Sequence, residues 1–291
     1  EYMSEATPTS QLTLAETCNF LLTNRIPRRL ATRFMGWFSR LENPLLVKAS
    51  IRLWRLFAPD LDLSDAAEQD FSSLHECFTR RLKTDARPID RDPGVLVSPC
   101  DAQVGEFGDA RDDLVLQAKG FPYTLSELLA DTGLAKEFAN GRFVTLRLKS
   151  SMYHHFHAPA SVDLTQISYI SGDTWNVNPI ALRKIEKLFC RNERAVVSLR
   201  DRLSGEKILL VPVAAVLVAS MRFVSLPEPL NLHYAGANLI TCRDHFALGQ
   251  EMGHFEHGST IIMLTSRNFE FSPQLRRGQI IRMGTALMRR V

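Results

Sequence analysis

Residues 208–218 read ILLVPVAAVLV and residues 220–224 read SMRFV, so two apolar runs follow each other with one residue between them. Even the longer run falls short of the roughly 20 apolar residues that a membrane-spanning helix needs. Short apolar runs of this kind, rich in β-branched residues, are typical of buried strands. The two runs therefore predict two strands of a sheet.

The same pattern recurs from residue 95 to the end of the chain. Further strands are predicted at Val95–Val97, Leu114–Leu116, Phe143–Leu146, Ile167–Ile170, Val196–Leu199, Ile261–Leu264 and Ile280–Ile281. Two helical interruptions are expected, at Leu125–Phe138 and Pro179–Phe189. We therefore predict an α+β protein whose residues 86–291 form a β-rich catalytic body of many short antiparallel strands.

The N-terminal part of the chain has a different character. Between Asn24 and Pro59 there are eight basic residues and a single acid, Glu42. A first amphipathic helix is predicted from the helical spacing of Leu30, Phe34, Trp37, Phe38 and Leu41. Asn43 and Pro44 suit the first positions of a second helix, and a third is expected from Ser64 or Asp65 through Leu82. Residues 1–85 are thus predicted to be a helical segment.

A basic amphipathic helix with aromatic residues on its apolar face suits the surface of an anionic membrane. On this interpretation, the residues that contact lipid are Arg28, Arg29, Arg33, Phe34, Trp37, Phe38 and Trp54. The alternative is a helical hairpin that covers the protein's own core, with its arginine side chains extending to solvent.

Composition narrows the class of protein. The 291 residues are 45% hydrophobic and 23% charged, which excludes a disordered or collagen-like chain. A net charge of only +3 argues against a nucleic-acid partner. The five cysteines are scattered and form no C-x-x-C pair, which favours reduced thiols. Since no signal peptide is recognisable, we expect a location on the cytoplasmic side.

Three polar groups stand beside predicted strands. Asp101 follows Val95–Val97, His157 ends a cluster with His154 and His155, and Ser259 precedes Ile261–Leu264. Taken singly, each fits an ordinary turn or core position. Together they supply a serine hydroxyl and the two groups that activate one, a base and a carboxylate that holds the base. Because an H-x-H pair without a third ligand is weak evidence for zinc, we expect no metal.

The sequence also resembles the phosphatidylserine decarboxylases of bacteria and mitochondria along most of its length. The similar segments are Phe78–Leu82, Ala86–Asp90, Pro99–Ala102, Gln117–Gly120, Tyr123–Leu125, Tyr153–Pro159, Gly172–Asp173, Val177–Asn178, Arg191–Arg194 and Gly249–Gly253, with Gly258–Thr260 after them.

This resemblance implies that the chain is a proenzyme that cleaves itself between Gly258 and Ser259. The products would be a β chain, 1–258, and an α chain, 259–291. Asp101, His157 and Ser259 would form the self-cleavage triad, in which Asp101 holds the tautomer of His157. Ser259 would become a covalent pyruvoyl group, the cofactor that forms a Schiff base with the substrate amine. His154 would serve decarboxylation by transferring a proton.

The implied reaction converts phosphatidylserine to phosphatidylethanolamine. The implied partners are this lipid, an anionic membrane surface, the two chains of one precursor and a second copy in a homodimer. The location would be peripheral, at the cytoplasmic face of the inner membrane or, in a eukaryote, at the mitochondrial inner membrane. Two alternatives stay open: a serine hydrolase that uses Asp101, His157 and Ser259 on an intact chain, and a non-enzymatic, membrane-docked binding protein.

Overall fold

The fold is known from a computed structural model. It describes residues 34–111, 114–116, 122–177, 181–182, 185–215, 220–231, 233–256 and 259–291. None of the helices within these ranges is long and apolar enough to cross a bilayer. The cysteines among the described residues are all free.

The helices lie mainly toward the N-terminus and between the early strands. Residues 34–38 are helical. Five further helices follow along the chain. They are α1 (Pro44–Phe57), α2 (Leu74–Phe78), α3 (Leu125–Leu129), α4 (Thr132–Phe138) and α5 (Leu188–Arg191). Asn43 begins α1 as predicted, because its side chain accepts hydrogen bonds from the backbone N–H groups of Leu45 and Leu46.

Seventeen strands are present among the described residues. They are β1 (Val95–Val97), β2 (Ala102–Asp109), β3 (Leu114–Leu116), β4 (Pro122–Thr124), β5 (Arg142–Leu148), β6 (His155–His157), β7 (Val162–Ile170), β8 (Arg194–Asp201), β9 (Lys207–Ala214), β10 (Ser220–Phe223), β11 (Leu230–Asn231), β12 (Leu239–Phe246), β13 (Glu251–Phe255), β14 (Ser259–Thr265), β15 (Phe269–Phe271), β16 (Ile280–Ile281) and β17 (Ala286–Arg290).

These strands form four antiparallel sheets. The largest has eight strands in the order β12-β7-β8-β9-β14-β5-β2-β16, and a second has the order β11-β10-β13-β6. Smaller sheets join β1-β17-β15 and β3-β4. The prediction of an α+β fold with many short antiparallel strands is confirmed.

Apolar clusters cover both faces of the eight-stranded sheet. On one face, Ile261 and Met263 of β14 share a cluster with Phe156 and Phe255 of the four-stranded sheet. On the other face, Ile262 and Leu264 pack with the helices α3 to α5. Burial on both faces explains why β14 is a continuous apolar run rather than an alternating one.

Three predicted helices differ from the structure, two of them in residues 64–138. The expected helix from residue 64 to 82 is reduced to α2, whose N-cap is Ser73, and Ala66 instead forms a bridge with Leu82. The expected helix at 125–138 is divided, because Ala130 adopts a left-handed conformation and Asp131 caps the start of α4. The capping side chains of Ser73 and Asp131 set where α2 and α4 begin.

The third is the helix expected at Pro179–Phe189. Its described residues 185–187 form a turn, and α5 begins only at Leu188, after Lys187 in a left-handed conformation.

Candidate active site

Ser259 begins β14 in the middle of the eight-stranded sheet and is fully buried. Its register partners are Leu148, the last residue of β5, and Ala214, the last residue of β9. Its hydroxyl Oγ has no hydrogen-bond partner within the described part of the chain. Burying an unsatisfied polar group costs about 1–3 kcal/mol, which marks this hydroxyl as a candidate reactive group. Gly258 and His257 lie outside the described residues.

His157 lies on β6, the edge strand of the four-stranded sheet. Its Nδ1 is 3.0 Å from the carbonyl oxygen of Gly249, and its Nε2 is 3.1 Å from the hydroxyl of Tyr153. A carbonyl can only accept, so Nδ1 carries the proton and Nε2 holds the free electron pair. Burial lowers the pKa of His157, although the hydrogen bond to Gly249 opposes this. The imidazole is therefore a neutral base near pH 7.

Asp101 follows β1 and is buried. Its side-chain partner is Arg87 rather than the expected His157. Arg87 donates to Asp101 from Nε at 2.9 Å and from Nη2 at 2.6 Å, and the backbone N–H of Met283 donates at 2.9 Å. Among the described residues, the carbonyl of Gly249 rather than Asp101 holds the tautomer of His157. Asp101 nevertheless lies close to His157 in the fold, since the backbone N–H of His157 donates to the carbonyl of Pro99, two residues before Asp101. The charge of Asp101 acts to raise the pKa of the imidazole.

His154 is fully buried in the loop before β6. Its Nδ1 donates to the carbonyl of Met152 at 2.8 Å, and its ring lies 4.0 Å from the ring of Phe78. Its own carbonyl accepts from Phe255 N–H, four residues before Ser259. The structure thus places His154 against β13, the strand that precedes Ser259 in the chain.

A family profile described as phosphatidylserine decarboxylase matches residues 74–289. The chain belongs to the phosphatidylserine decarboxylase family. It is similar to the phosphatidylserine decarboxylase proenzyme of Pasteurella multocida, with 35% identity over 90% of this chain and 91% of that one. It is also similar to the proenzymes of Alkalilimnicola ehrlichii, with 36% identity over 82% and 85%, and of Brevibacillus brevis, with 32% over 91% and 95%.

The sequence did not predict the roles of Tyr153 and Arg87. Tyr153 donates to Nε2 of His157, and Arg87 holds Asp101 while also pairing with Asp65 at 2.8 Å. Tyr153, His155 and His157 alternate along the chain, so their common face was visible in the sequence. The sequence contains no local pattern that predicts the contact of Arg87 with Asp101, because this contact depends on tertiary structure.

Asn192 is a third residue whose role was missed. It is fully buried, and its side-chain amide donates to the carbonyls of Trp175 and Ala214, both at 2.8 Å. Its Oδ1 accepts from the backbone N–H of Trp175. Since Ala214 is the register partner of Ser259, these bonds fix the strand end beside the serine.

Side-chain nitrogen and oxygen atoms of His155, Glu251 and His254 lie within 4.8 Å of one another. The two imidazole rings are stacked, with centroids 4.7 Å apart and planes at 25°. Stacked rings do not direct their in-plane electron pairs toward one point, as an ion requires. This cluster therefore suits an ion pair better than a metal.

The predicted lipid-contacting residues divide into three groups. Arg28, Arg29 and Arg33 lie outside the described residues. Phe34 and Trp37 are 55% and 60% exposed, and Phe38 is partly buried. Trp54 instead stacks on Phe78 at 5.8 Å and helps to join α1 to α2. Among the predicted lipid contacts that the structure describes, Phe34 and Trp37 are the exposed ones.

Proposed function

We propose that this chain is a proenzyme that converts Ser259 into a pyruvoyl group and then decarboxylates phosphatidylserine to phosphatidylethanolamine. Membership of the family supports the reaction. The observation that carries the mechanism is the buried hydroxyl of Ser259, which has no hydrogen-bond partner in the described region. The expected β chain would be 1–258 and the α chain 259–291.

Self-cleavage begins with attack of Ser259 Oγ on the carbonyl carbon of Gly258. The Tyr153 hydroxyl first leaves Nε2 of His157, which then accepts the serine proton. The C–N bond breaks, the nitrogen takes up that proton, and the freed amine stays on the α-carbon of Ser259. Removal of the α-proton then expels the Gly258 carboxylate and leaves a dehydroalanine. Water hydrolyses this group to a ketone and releases ammonia, so no external oxidant is needed.

The pyruvoyl group supplies an electrophilic carbonyl that accepts the electrons released with carbon dioxide. The residues around Ser259 suit such a group, because the site is buried and its polar atoms are held at strand ends. His154 would deliver the proton that replaces carbon dioxide. Asp101 would support His157 by its charge rather than by a direct hydrogen bond.

Helix α1 supports a location at a membrane surface. Leu45, Leu56 and Phe57 are 81%, 79% and 82% exposed. The helix also has three exposed basic side chains beside them. Those basic residues are Lys48, Arg52 and Arg55. We propose that this face, together with Phe34 and Trp37, binds an anionic bilayer, since lipid covers apolar groups while its headgroups meet the cations.

Three further predictions belong to this proposal. They are the division into residues 1–85 and 86–291, a homodimer, and a peripheral location at the cytoplasmic face of the membrane. The separate apolar cluster of Ala58, Leu61, Leu63 and Cys77 supports the first of them.

Denaturing mass spectrometry of freshly made protein tests the proposal. We expect two chains, the shorter with a lower mass than a serine N-terminus would give and resistant to Edman degradation. Ser259→Ala should leave one intact chain. His154→Ala should cleave but release no carbon dioxide from phosphatidylserine vesicles. A single intact chain in active wild-type enzyme would contradict self-cleavage and favour the hydrolase alternative.

A further inference from the structure

His155 lies in the centre of a stack of three rings. Its imidazole lies 4.8 Å from the ring of Tyr153 with planes at 4°, and 4.7 Å from the ring of His254. The side chain of His155 is only 3% exposed. A buried ring between two aromatic neighbours resembles the environment in which proteins hold flat cations.

Both ring nitrogens of His155 face hydrogen-bond acceptors. Nδ1 is 2.9 Å from Oε1 of Glu251, and Nε2 is 3.0 Å from the backbone carbonyl of Thr79. A neutral imidazole has only one N–H group, so it would leave one of these contacts without a proton. An imidazolium satisfies both.

Glu251 does not supply the missing proton. Burial raises its pKa, but the hydrogen bond from His155 and the nearby positive charge lower it by more, so that the net shift is downward. Glu251 is therefore a carboxylate at neutral pH and accepts from His155. The two residues form a buried ion pair.

Tyr153 connects this ion pair to the proposed base. The flat face of Tyr153 rests on His155, and its hydroxyl lies 3.1 Å from Nε2 of His157. Burial raises the pKa of Tyr153, so the hydroxyl keeps its proton and acts as the donor. Any change in His155 therefore alters both the position of this donor and the electrostatic potential at His157.

We infer that His155 is a doubly protonated positioning residue, which holds the Tyr153 hydroxyl on Nε2 of His157 and so keeps this base unprotonated until self-cleavage begins. This inference rests on the proposed role of His157 as the base in self-cleavage.

The groups around His155 and His157 determine how the pKa of His157 should change when His155 is replaced. Burial lowers the pKa of His157 and the charge of His155 lowers it further, whereas the hydrogen bond to Gly249 and the charges of Glu251 and Asp101 raise it. Loss of the His155 charge would remove one of the two influences that lower this pKa, so His157 would be protonated at a higher pH. The other charged groups around this cluster are Arg81 and Arg87 near Tyr153, and Arg222 and Glu256 near His254.

Three variants test this inference in cell-free synthesis, where the rate of self-cleavage can be followed from pH 5 to pH 8. His155→Gln should cleave about tenfold more slowly at pH 6, and its acid limb should lie at higher pH than in the wild type. His155→Arg should restore much of the rate, because it keeps the charge. The control is His233→Gln, at an exposed position, which should behave as the wild type. An unchanged pH profile in His155→Gln would contradict the inference.

Nitrogen-15 NMR of the Ser259→Ala protein provides a readout that does not depend on cleavage or on the folding of the His155 variants. At pH 7, both ring nitrogens of His155 should be protonated. A single protonated nitrogen would contradict the inference. Stoichiometric zinc binding that His254→Ala abolishes would also contradict it, in favour of a metal site.

The two proposals fail in different ways. If wild-type protein does not cleave, the proposed function is wrong whatever the state of His155. If wild-type protein cleaves and His155 carries one proton, only the inference is wrong.

Discussion

Strand β14 and helix α1 are both rich in apolar residues, but they bury them very differently. All seven residues of β14 are buried, whereas Val47 is the one fully buried residue of α1. The strand has a hydrogen-bonded neighbour on each side and an apolar cluster on each face. The helix packs on one side only, through Ile51 and Trp54.

This difference separates two requirements of the proposed function. Chemistry on a buried serine requires a rigid site without bulk water, which a strand covered on both faces provides. Access to a lipid requires apolar surface that the protein itself does not cover, which α1 provides. Four predictions test whether the two regions divide the work in this way.

The largest effect is expected in the body, from removal of the base. His157→Ala should slow self-cleavage by about 10²–10⁴-fold, because no other group takes the serine proton as efficiently. Denaturing gel electrophoresis of newly synthesised protein measures the rate. The matched control is His245→Ala, whose side chain is 47% exposed on the same body. Normal cleavage by His157→Ala would assign the base role elsewhere.

The second prediction compares the stability contributed by the two regions. In a Ser259→Ala background, Ile262→Ala should lower the free energy of unfolding by about 2–5 kcal/mol, because it leaves a cavity in β14. Leu56→Ala should change it by less than about 0.5 kcal/mol, since this side chain is already in solvent. Urea unfolding measures both. A large loss in Leu56→Ala would mean that the exposed face of α1 is covered within the protein.

The third prediction concerns lipid. The double change Leu56→Ser and Phe57→Ser should reduce binding to phosphatidylserine-containing vesicles by about tenfold or more, because two apolar side chains no longer enter the bilayer. Neutralising Arg28, Arg29 and Arg33, or adding salt, should also weaken binding. Co-sedimentation measures the bound fraction. Leu203→Ser, at a 65% exposed leucine of the body, is the control and should have no effect. Equal losses in both variants would contradict a lipid-binding role for α1.

The smallest effect is expected where the segment before α1 contacts the segment before β14. Arg40 donates to Oε2 of Glu256 at 3.1 Å, and His75 Nε2 lies 3.8 Å from Oε1 of the same carboxylate. Glu256 is two residues before Gly258, so this contact joins the N-terminal segment to the chain beside the proposed cleavage site. Because Arg40 is 54% exposed, its ion pair contributes less than about 1 kcal/mol.

Arg40→Gln should therefore slow self-cleavage only a few-fold, with a similar loss in Glu256→Gln and no further loss in the double variant. Arg52→Gln, at an exposed arginine of α1, should cleave as the wild type. Additive losses in the double variant would show that Arg40 and Glu256 act independently.

Much of the fold was predictable because its signals are local. The apolar run of β14 predicts a strand, and Asn43 with Pro44 predicts the start of α1. Predictions failed where a short-range contact competes with periodicity. Ser73 caps a short helix within the longer stretch predicted from residue 64, and Ala130 divides the helix predicted at 125–138.

The candidate site was predictable only in part. Alternation along the chain placed His155 and His157 on one face of a strand, and resemblance to the family selected Ser259. The partners of these residues were not predictable. Glu251 is 96 residues from His155 in the chain, and Arg87 is 14 residues from Asp101.

By itself, the sequence determined the fold class, the family and the side chains available for chemistry, because periodicity, capping and ordered motifs are properties of neighbouring residues. Only the tertiary structure decided that Gly249 rather than Asp101 holds the tautomer of His157, and that His155 meets acceptors at both of its nitrogens. Protonation states depend on the groups that folding brings to each atom, and those groups come from distant parts of the chain.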